Sequence, residues 1–268
     1  MSNIIDVKNL SFQYENHKIF DNISFEIEEG SFYTIIDTDN NGKSTLANIL
    51  SCTIQADCNL KIFNRLVSEK NLSFIKKYIS YVSENIERFF ILEKVYDNIF
   101  FILRRHGLSD ELIHKKIREL IYPLGFRHLL KKKTNTLSYG EKKLVALFIS
   151  LSIEPRILIL DNFFSSINVL EKQKIINLLN AFNKKGMTIL NFTSDSNEML
   201  YGSKVIILKN NTILLNSNIE LAFKDIKLYE DNNISIPFVI ELSAKLMCYG
   251  KVDKIYFSMK ELVNDLWH

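Results

Sequence analysis

The residues best suited to chemistry are Gly42-Lys43-Ser44-Thr45, which close the stretch Asp37-Thr38-Asp39-Asn40-Asn41. They match the second half of a phosphate-binding loop, G-x-x-x-x-G-K-[ST], in which backbone N–H groups and a helix N-terminus wrap the phosphates of a nucleotide. Lys43 would contact the β and γ phosphates, and Ser44 would ligate Mg²⁺. The first half of the pattern is altered, with Asp37 at the first glycine position and Asp39 as a second carboxylate. At about 5 Å and an effective dielectric of about 20, each carboxylate would oppose a phosphate charge by roughly 3 kcal/mol. The loop is therefore expected to bind nucleotide more weakly than an intact one. Asp161 is the second candidate, ending the aliphatic run Ile157-Leu158-Ile159-Leu160. An aspartate so placed either supports Mg²⁺ beside the γ-phosphate or caps the next turn.

Other chemistry finds little support. Cys52, Cys58 and Cys248 are scattered without a C-x-x-C pair, and His17, His106, His114, His128 and His268 form no spaced metal cluster. A formal charge of +3 is too small to argue for nucleic acid, and Arg104-Arg105-His106 and Lys131-Lys132-Lys133 read as solvated helix ends. No apolar run approaches bilayer length, and Met1-Ser2-Asn3-Ile4 begins no signal peptide, so a cytosolic chain is expected. With 268 residues and 47% hydrophobic content, the chain can bury one substantial α/β core and a small appended unit.

The candidate residues need elements to position them. Phe32 to Ile36 reads as a buried strand before the loop, and Leu46, Ala47, Ile49 and Leu50 come after it at helical spacing. Ahead of it, Ile4 to Val7, Leu10 to Tyr14 and Ile23 to Ile27 read as short strands separated by polar turns. Tyr14 either stacks on a base or covers the core edge. Asn59 to Asn64 and Ser73 to Tyr78 read as irregular or mixed, and Tyr78 to Val82 as a core strand. Residues 84 to 136 then read as a helical insertion, with Val95 to Arg104 apolar on one face and Ser109 capping a helix that carries Ile113, Ile117, Leu120 and Ile121. Leu144 to Ile153 and Val169 to Phe182 are further helices, Thr188 to Phe192 is a strand, and Val205 to Leu208 pairs with Thr212 to Leu215 about Asn210-Asn211. From about Ile219 the chain is mostly helical.

The order of phosphate loop, helical insertion, Leu137-Ser138-Tyr139-Gly140-Glu141, aliphatic strand with Asp161, and Thr193-Ser194-Asp195 resembles the ATP-binding cassette (ABC) ATPases. Within these the chain looks most like the ATP-binding subunits of energy-coupling factor (ECF) transporters, which power uptake of vitamins and transition metals. The resemblance runs from about Ile4 to His268, and Val82 to Phe90 with Val95, and Ile236 to Leu242 with Lys245-Leu246 and Gly250, favour the ECF branch. It implies an α/β fold with a P-loop, RecA-like core, an antiparallel β subdomain and a helical subdomain. The ABC ATPase domain would span 1–217, its helical part about 84–136, and a mostly helical extension 218–268.

The resemblance also implies roles. ATP and Mg²⁺ would be the cofactors, with Tyr14, Asn40, Asn41, Gly42, Lys43, Ser44, Thr45 and Asp161 on the nucleotide and Ser44 and Asp161 on Mg²⁺. The glutamine that contacts Mg²⁺ and the attacking water falls at Glu84, the glutamate that polarises the water at Asn162, the D-loop aspartate at Asn168, and the switch histidine at Ser194. Asn162 cannot accept a proton and Ser194 lacks an imidazole, so hydrolysis at this site is expected to be impaired. In a head-to-tail dimer Ser138, Tyr139, Gly140 and Glu141 would serve the partner's site. The expected partners are a second ABC ATPase subunit in a heterodimer, an integral membrane coupling subunit and a substrate-binding membrane subunit, at the cytoplasmic face of the membrane. Phe89, Phe90 and Ile91 would either floor a groove for the coupling subunit or belong to the core. The rival readings are a competent ATPase of a conventional importer and a scaffold that holds no nucleotide.

Overall fold

The computed structural model describes residues 2–37 and 42–267; Asn40 and Asn41 of the loop therefore lie outside the described residues. The chain opens with β1 (Asn3–Tyr14), β2 (His17–Glu28), β3 (Phe32–Asp37), α1 (Lys43–Leu50), β4 (Asp57–Ile62), β5 (Arg65–Leu66), α2 (Glu69–Lys77) and β6 (Ile79–Val82). It continues with α3 (Val95–Arg105), α4 (Asp110–Leu120), α5 (Tyr139–Ser152), β7 (Ile157–Asp161), α6 (Val169–Lys184), β8 (Thr188–Thr193), β9 (Lys204–Lys209) and β10 (Thr212–Asn218). The last helices are α7 (Ile219–Ala222), α8 (Lys227–Asp231), α9 (Phe238–Cys248) and α10 (Met259–Leu266).

Two sheets result. An antiparallel sheet runs β2-β1-β4-β5, and a six-stranded sheet runs β10-β9-β3-β8-β7-β6, parallel except for β10. Every residue of β3, β6, β7 and β8 is buried, as expected of parallel strands covered on both faces, which show aliphatic runs rather than alternation. One apolar core fills the space between the two sheets, around Ile35, Leu46 and Ile159. A second joins α3, α4 and α5 through Ile99, Ile113 and Leu147. A third seats the C-terminal helices on Ile36 and Ile207 through Phe223, Tyr229 and Ile240.

Some elements differ from the sequence reading, for local reasons. The two strands expected on either side of Asn9 are one, because Asn9 takes a left-handed conformation (φ 54°) and its N–H donates to Ser24 Oγ at 2.9 Å, which bulges the strand without ending it. The stretches read as irregular are β4 and α2, the latter anchored by buried Ile75. The hairpin about Asn210-Asn211 forms as expected, with both residues at positive φ, 48° and 63°, as a tight two-residue connection requires. Within the basic clusters at the helix ends, Arg104 pairs with Asp110 and Lys132 with Glu141, each at 2.7 Å.

Candidate functional site

Parallel strands deliver the residues at their C-terminal ends to one edge of the sheet, where ligands of such folds bind. Here β3 leads to Asp37 and the loop, β6 to Glu84, β7 to Asp161 and Asn162, and β8 to Ser194. A cavity of about 270 Å³ is lined by Gly42, Lys43, Ser44, Thr45, Glu84, Asp161, Asn162 and Ser194. Residues from four separate strand ends thus share one site. Tyr14 does not join them: it is exposed at the tip of the β1–β2 hairpin, edge-on to Phe12 with ring centroids 4.9 Å apart.

The Asp37 carboxylate is turned toward the helix N-terminus. Its Oδ2 accepts hydrogen bonds from the Gly42 N–H at 2.6 Å and the Lys43 N–H at 3.3 Å. These donors belong to the loop expected to cradle phosphate, and a helix N-terminus favours any anion placed there. Gly42 is needed for the close packing around it, since a Cβ would lie 2.9 Å from the Phe20 ring and 3.6 Å from Asp37 Oδ2. Burial pulls the Lys43 ammonium below the usual lysine range, against the opposing charges of Asp37, Asp161 and Glu84.

Asp161 ends β7 with both oxygens engaged. Ser44 Oγ donates to Oδ1 and the Tyr81 hydroxyl to Oδ2, each at 3.1 Å. Burial pushes the Asp161 carboxyl above its usual range, against those two hydrogen bonds. Asn162 comes next in a left-handed conformation (φ 49°, ψ 35°) that asparagine tolerates. Its side-chain amide donates to Glu84 Oε1 at 3.1 Å, and its carbonyl accepts from Lys143 Nζ.

Sequence reasoning missed Lys143 and Tyr81. Lys143 is fully buried in the first turns of α5, donates also to Ser165 Oγ at 3.2 Å, and burial lowers its pKa to about 8. The usable signal was a lysine opening a helix that is apolar all round, where a charge must find partners. Tyr81, on the buried strand β6, carried no comparable signal.

The Ser138 to Glu141 segment forms the start of α5, outside the cavity. Ser138 Oγ accepts from the Glu141 N–H at 3.2 Å, and Glu141 Oε2 accepts from the Ser138 N–H at 2.9 Å, a capping box. Burial alone would push the Glu141 carboxyl up, but Lys132 and the Ser138 N–H outweigh it and hold the group below its usual range. The Tyr139 hydroxyl donates to the Glu84 carbonyl of the same chain, and Tyr139 lines a groove that adjoins Ser44 and Asp161.

Residues 20–165 match the ABC transporter family. The chain is 30% identical to the energy-coupling factor transporter ATP-binding protein EcfA1 of Fusobacterium nucleatum over 97% of both chains. It is 29% identical to EcfA1 of Streptococcus pneumoniae over 100% of this chain and 99% of that one. Among solved structures, cbiO1 from Clostridium perfringens, described as part of the ABC transporter complex cbiONQ, superposes with a TM-score of 0.74 at 24% identity, covering 90% of this chain and 99% of that one. A dimeric ATP-binding cassette in a post-hydrolysis state with ADP and Pi superposes at 0.72 and 23% identity, covering 80% of this chain and 98% of that one. The fold is that of the ABC ATPase cassettes, and the chain belongs to the ATP-binding subunits of ECF-type ABC transporters.

Proposed function

We propose that this chain is the catalytically weak half of an asymmetric ATPase pair that powers an ECF-type importer of a micronutrient, a vitamin or a metal ion. The observation that carries this reading is the cavity itself, which keeps Lys43, Ser44 and Asp161 but presents Asn162 and Ser194 at the ends of β7 and β8. In the head-to-tail arrangement, the Ser138 to Glu141 segment serves the partner's nucleotide. No helix of the described residues is long and apolar enough to cross a membrane, so attachment at the cytoplasmic face would be through an integral subunit. A groove lined by Arg88, Phe89, Ile91, Phe101 and His106 is the surface for that subunit. Ile91 is exposed there, whereas Phe89 and Phe90 pack against the core.

The donor set suits Mg²⁺. Ser44 Oγ and Asp161 Oδ1 are 3.1 Å apart, close to the edge of about 3 Å in an octahedron of oxygens around Mg²⁺. No cluster of three or more His, Cys, Asp or Glu that could hold a metal occurs among the described residues, so the remaining oxygens would come from phosphate and water. Mg²⁺ would supply charge neutralisation at the phosphates. Lys43 and the N–H groups of Gly42 and Lys43 would bind the phosphates, once the Asp37 carboxylate yields those donors.

The test combines binding with turnover. The purified chain is expected to bind MgATP but to release phosphate no faster than background, because Asn162 and Ser194 supply neither base nor imidazole. Turnover by the chain alone, without its partner, that disappears in Lys43→Ala would refute the weak-site reading. Copurification with a second ATPase and a membrane protein tests the assembly. The engaged Asp37 favours a second reading, a scaffold without nucleotide, and absent binding at millimolar MgATP would establish it.

Asp37→Gly is expected to tighten MgATP binding by tenfold or more in a titration, because an opposing carboxylate is worth on the order of 1 to 3 kcal/mol. An unchanged dissociation constant would show that the carboxylate moves aside at no cost.

A further inference from the structure

The carboxylate missing at position 162 has a counterpart on the neighbouring strand end, at Glu84. Strands β6 and β7 pair in parallel with Val82 opposite Leu160. Glu84 and Asn162 each lie two residues beyond that pair, so equal offsets bring them side by side at the same sheet edge. There the Asn162 amide donates to Glu84 Oε1 at 3.1 Å, and both residues line the cavity with Lys43, Ser44 and Asp161.

Glu84 is held from two sides. Its side chain is tied to Asn162, and its backbone carbonyl accepts the Tyr139 hydroxyl from the first turn of α5. Asn162 is itself fixed, with its N–H bonded to the Phe192 carbonyl at 2.8 Å and its carbonyl bonded to the buried Lys143. A glutamate merely solvated on a rim needs none of these restraints. The charge on Glu84 also reaches the site, opposing ionisation of Asp161 and favouring the charged form of Lys43.

We propose that amide and carboxylate have changed places in this site, so that Glu84 is the catalytic carboxylate and Asn162 the amide that positions it. The inference rests on the nucleotide-site reading above and assigns the slow turnover of that site to a residue. The water oxygen forms a bond to the γ-phosphorus while the bond from that phosphorus to the β,γ-bridging oxygen breaks, its electron pair remaining on ADP. One water proton passes to the Glu84 carboxylate, which then returns it to solvent at its exposed side. The products are ADP and inorganic phosphate. Weakness arises from the same geometry, because the amide hydrogen bond occupies one carboxylate oxygen and Ser194 provides no imidazole.

The exchange makes a prediction that differs in sign between single and double variants. A carboxylate added at position 162 would face Glu84 at hydrogen-bond distance and repel it, whereas exchanging both groups leaves one carboxylate and one amide. Glu84→Gln and Asn162→Asp keep the size of each side chain, and aspartate tolerates the left-handed backbone at 162. The measurement uses the complex of the full chain with its partner ATPase, the partner's own phosphate-loop lysine changed to alanine, so that phosphate release reports this chain's site.

Glu84→Gln is expected to lower kcat by about a hundredfold while the KM for MgATP changes little. Asn162→Asp alone should also slow release, and the double variant should recover at least the native rate. Equal kcat in Glu84→Gln and native complex, or a double variant no better than Asn162→Asp, would overturn the exchange. MgATP binding measured by titration separates the two levels of failure. If the native complex binds MgATP at this chain's site and never turns it over, the role of Glu84 falls alone; if it binds none there, the nucleotide-site reading falls with it.

Discussion

Ser138→Arg in the complex with an intact partner ATPase should reduce steady-state phosphate release by about a hundredfold, whereas Lys43→Ala should cost less than about threefold. The asymmetry comes from the dimer in which Ser138 faces the partner's γ-phosphate and Lys43 faces only this chain's weak site. A hydroxyl and N–H groups aimed at phosphate make charge-assisted hydrogen bonds of roughly 1.5 to 3 kcal/mol each, about ten- to more than a hundredfold in rate when one is lost. The capping box gives Ser138 a second, local role, and losing an N-cap costs about 1 kcal/mol of stability. Glu141→Ala separates the two contributions, since it breaks the capping box from its other side and leaves the Ser138 hydroxyl in place. Thermal unfolding of each variant confirms that the complex under assay is folded. A larger loss in Lys43→Ala than in Ser138→Arg would place the working nucleotide at this chain's own loop.

Gly140→Ala should lower the unfolding midpoint and abolish most phosphate release in the same complex. A Cβ at Gly140 would lie 2.3 Å from the Ser166 carbonyl oxygen and 3.3 Å from its carbon, both backbone atoms. Alanine gains up to about 1 kcal/mol in intrinsic helix propensity over glycine, but so close a contact with backbone forces α5 away from the turn at Phe163–Ser166. Overpacking of this kind costs about 1 to 3 kcal/mol, and a domain this large loses about 2 to 4 °C per kcal/mol. The same shift would disturb Lys143, whose ammonium holds Asn162 and Ser165 in that turn. Gly42→Ala is the comparison: its nearest obstacle is a side chain, the Phe20 ring at 2.9 Å, and not backbone at 2.3 Å, so its midpoint should fall less. An unchanged midpoint in Gly140→Ala would show that α5 accommodates the methyl without moving.

Some of this was legible residue by residue. The all-aliphatic run Ile157 to Leu160 could be read as a doubly covered strand, and Ser109 as a cap, which the Leu112 N–H now completes at 3.3 Å. Gly42, Lys43, Ser44 and Asp161 could be named as candidates because their spacing and flanking elements are local. The pairing of the preserved Ser138 with Glu141 was less visible: read as a motif altered at Glu141, it is also a capping box in which glutamate and glutamine serve equally. Asn9 misled the strand reading because a bulge and a turn draw on the same residue types.

The elements and most of the chemical inventory are local properties of the chain, because helix caps, apolar periodicity and turn residues act within a few positions of one another. How that inventory is used is a property of the fold. Asp37 reads in sequence as a charge opposed to phosphate, yet in the fold it is bonded to the N–H groups of Gly42 and Lys43, an outcome set by how β3 and α1 meet. Glu84 and Asn162 read as two separate losses 78 positions apart. They become a bonded pair because β6 and β7 lie side by side in register, and long-range packing of buried strands, not local sequence, chooses which strands are neighbours.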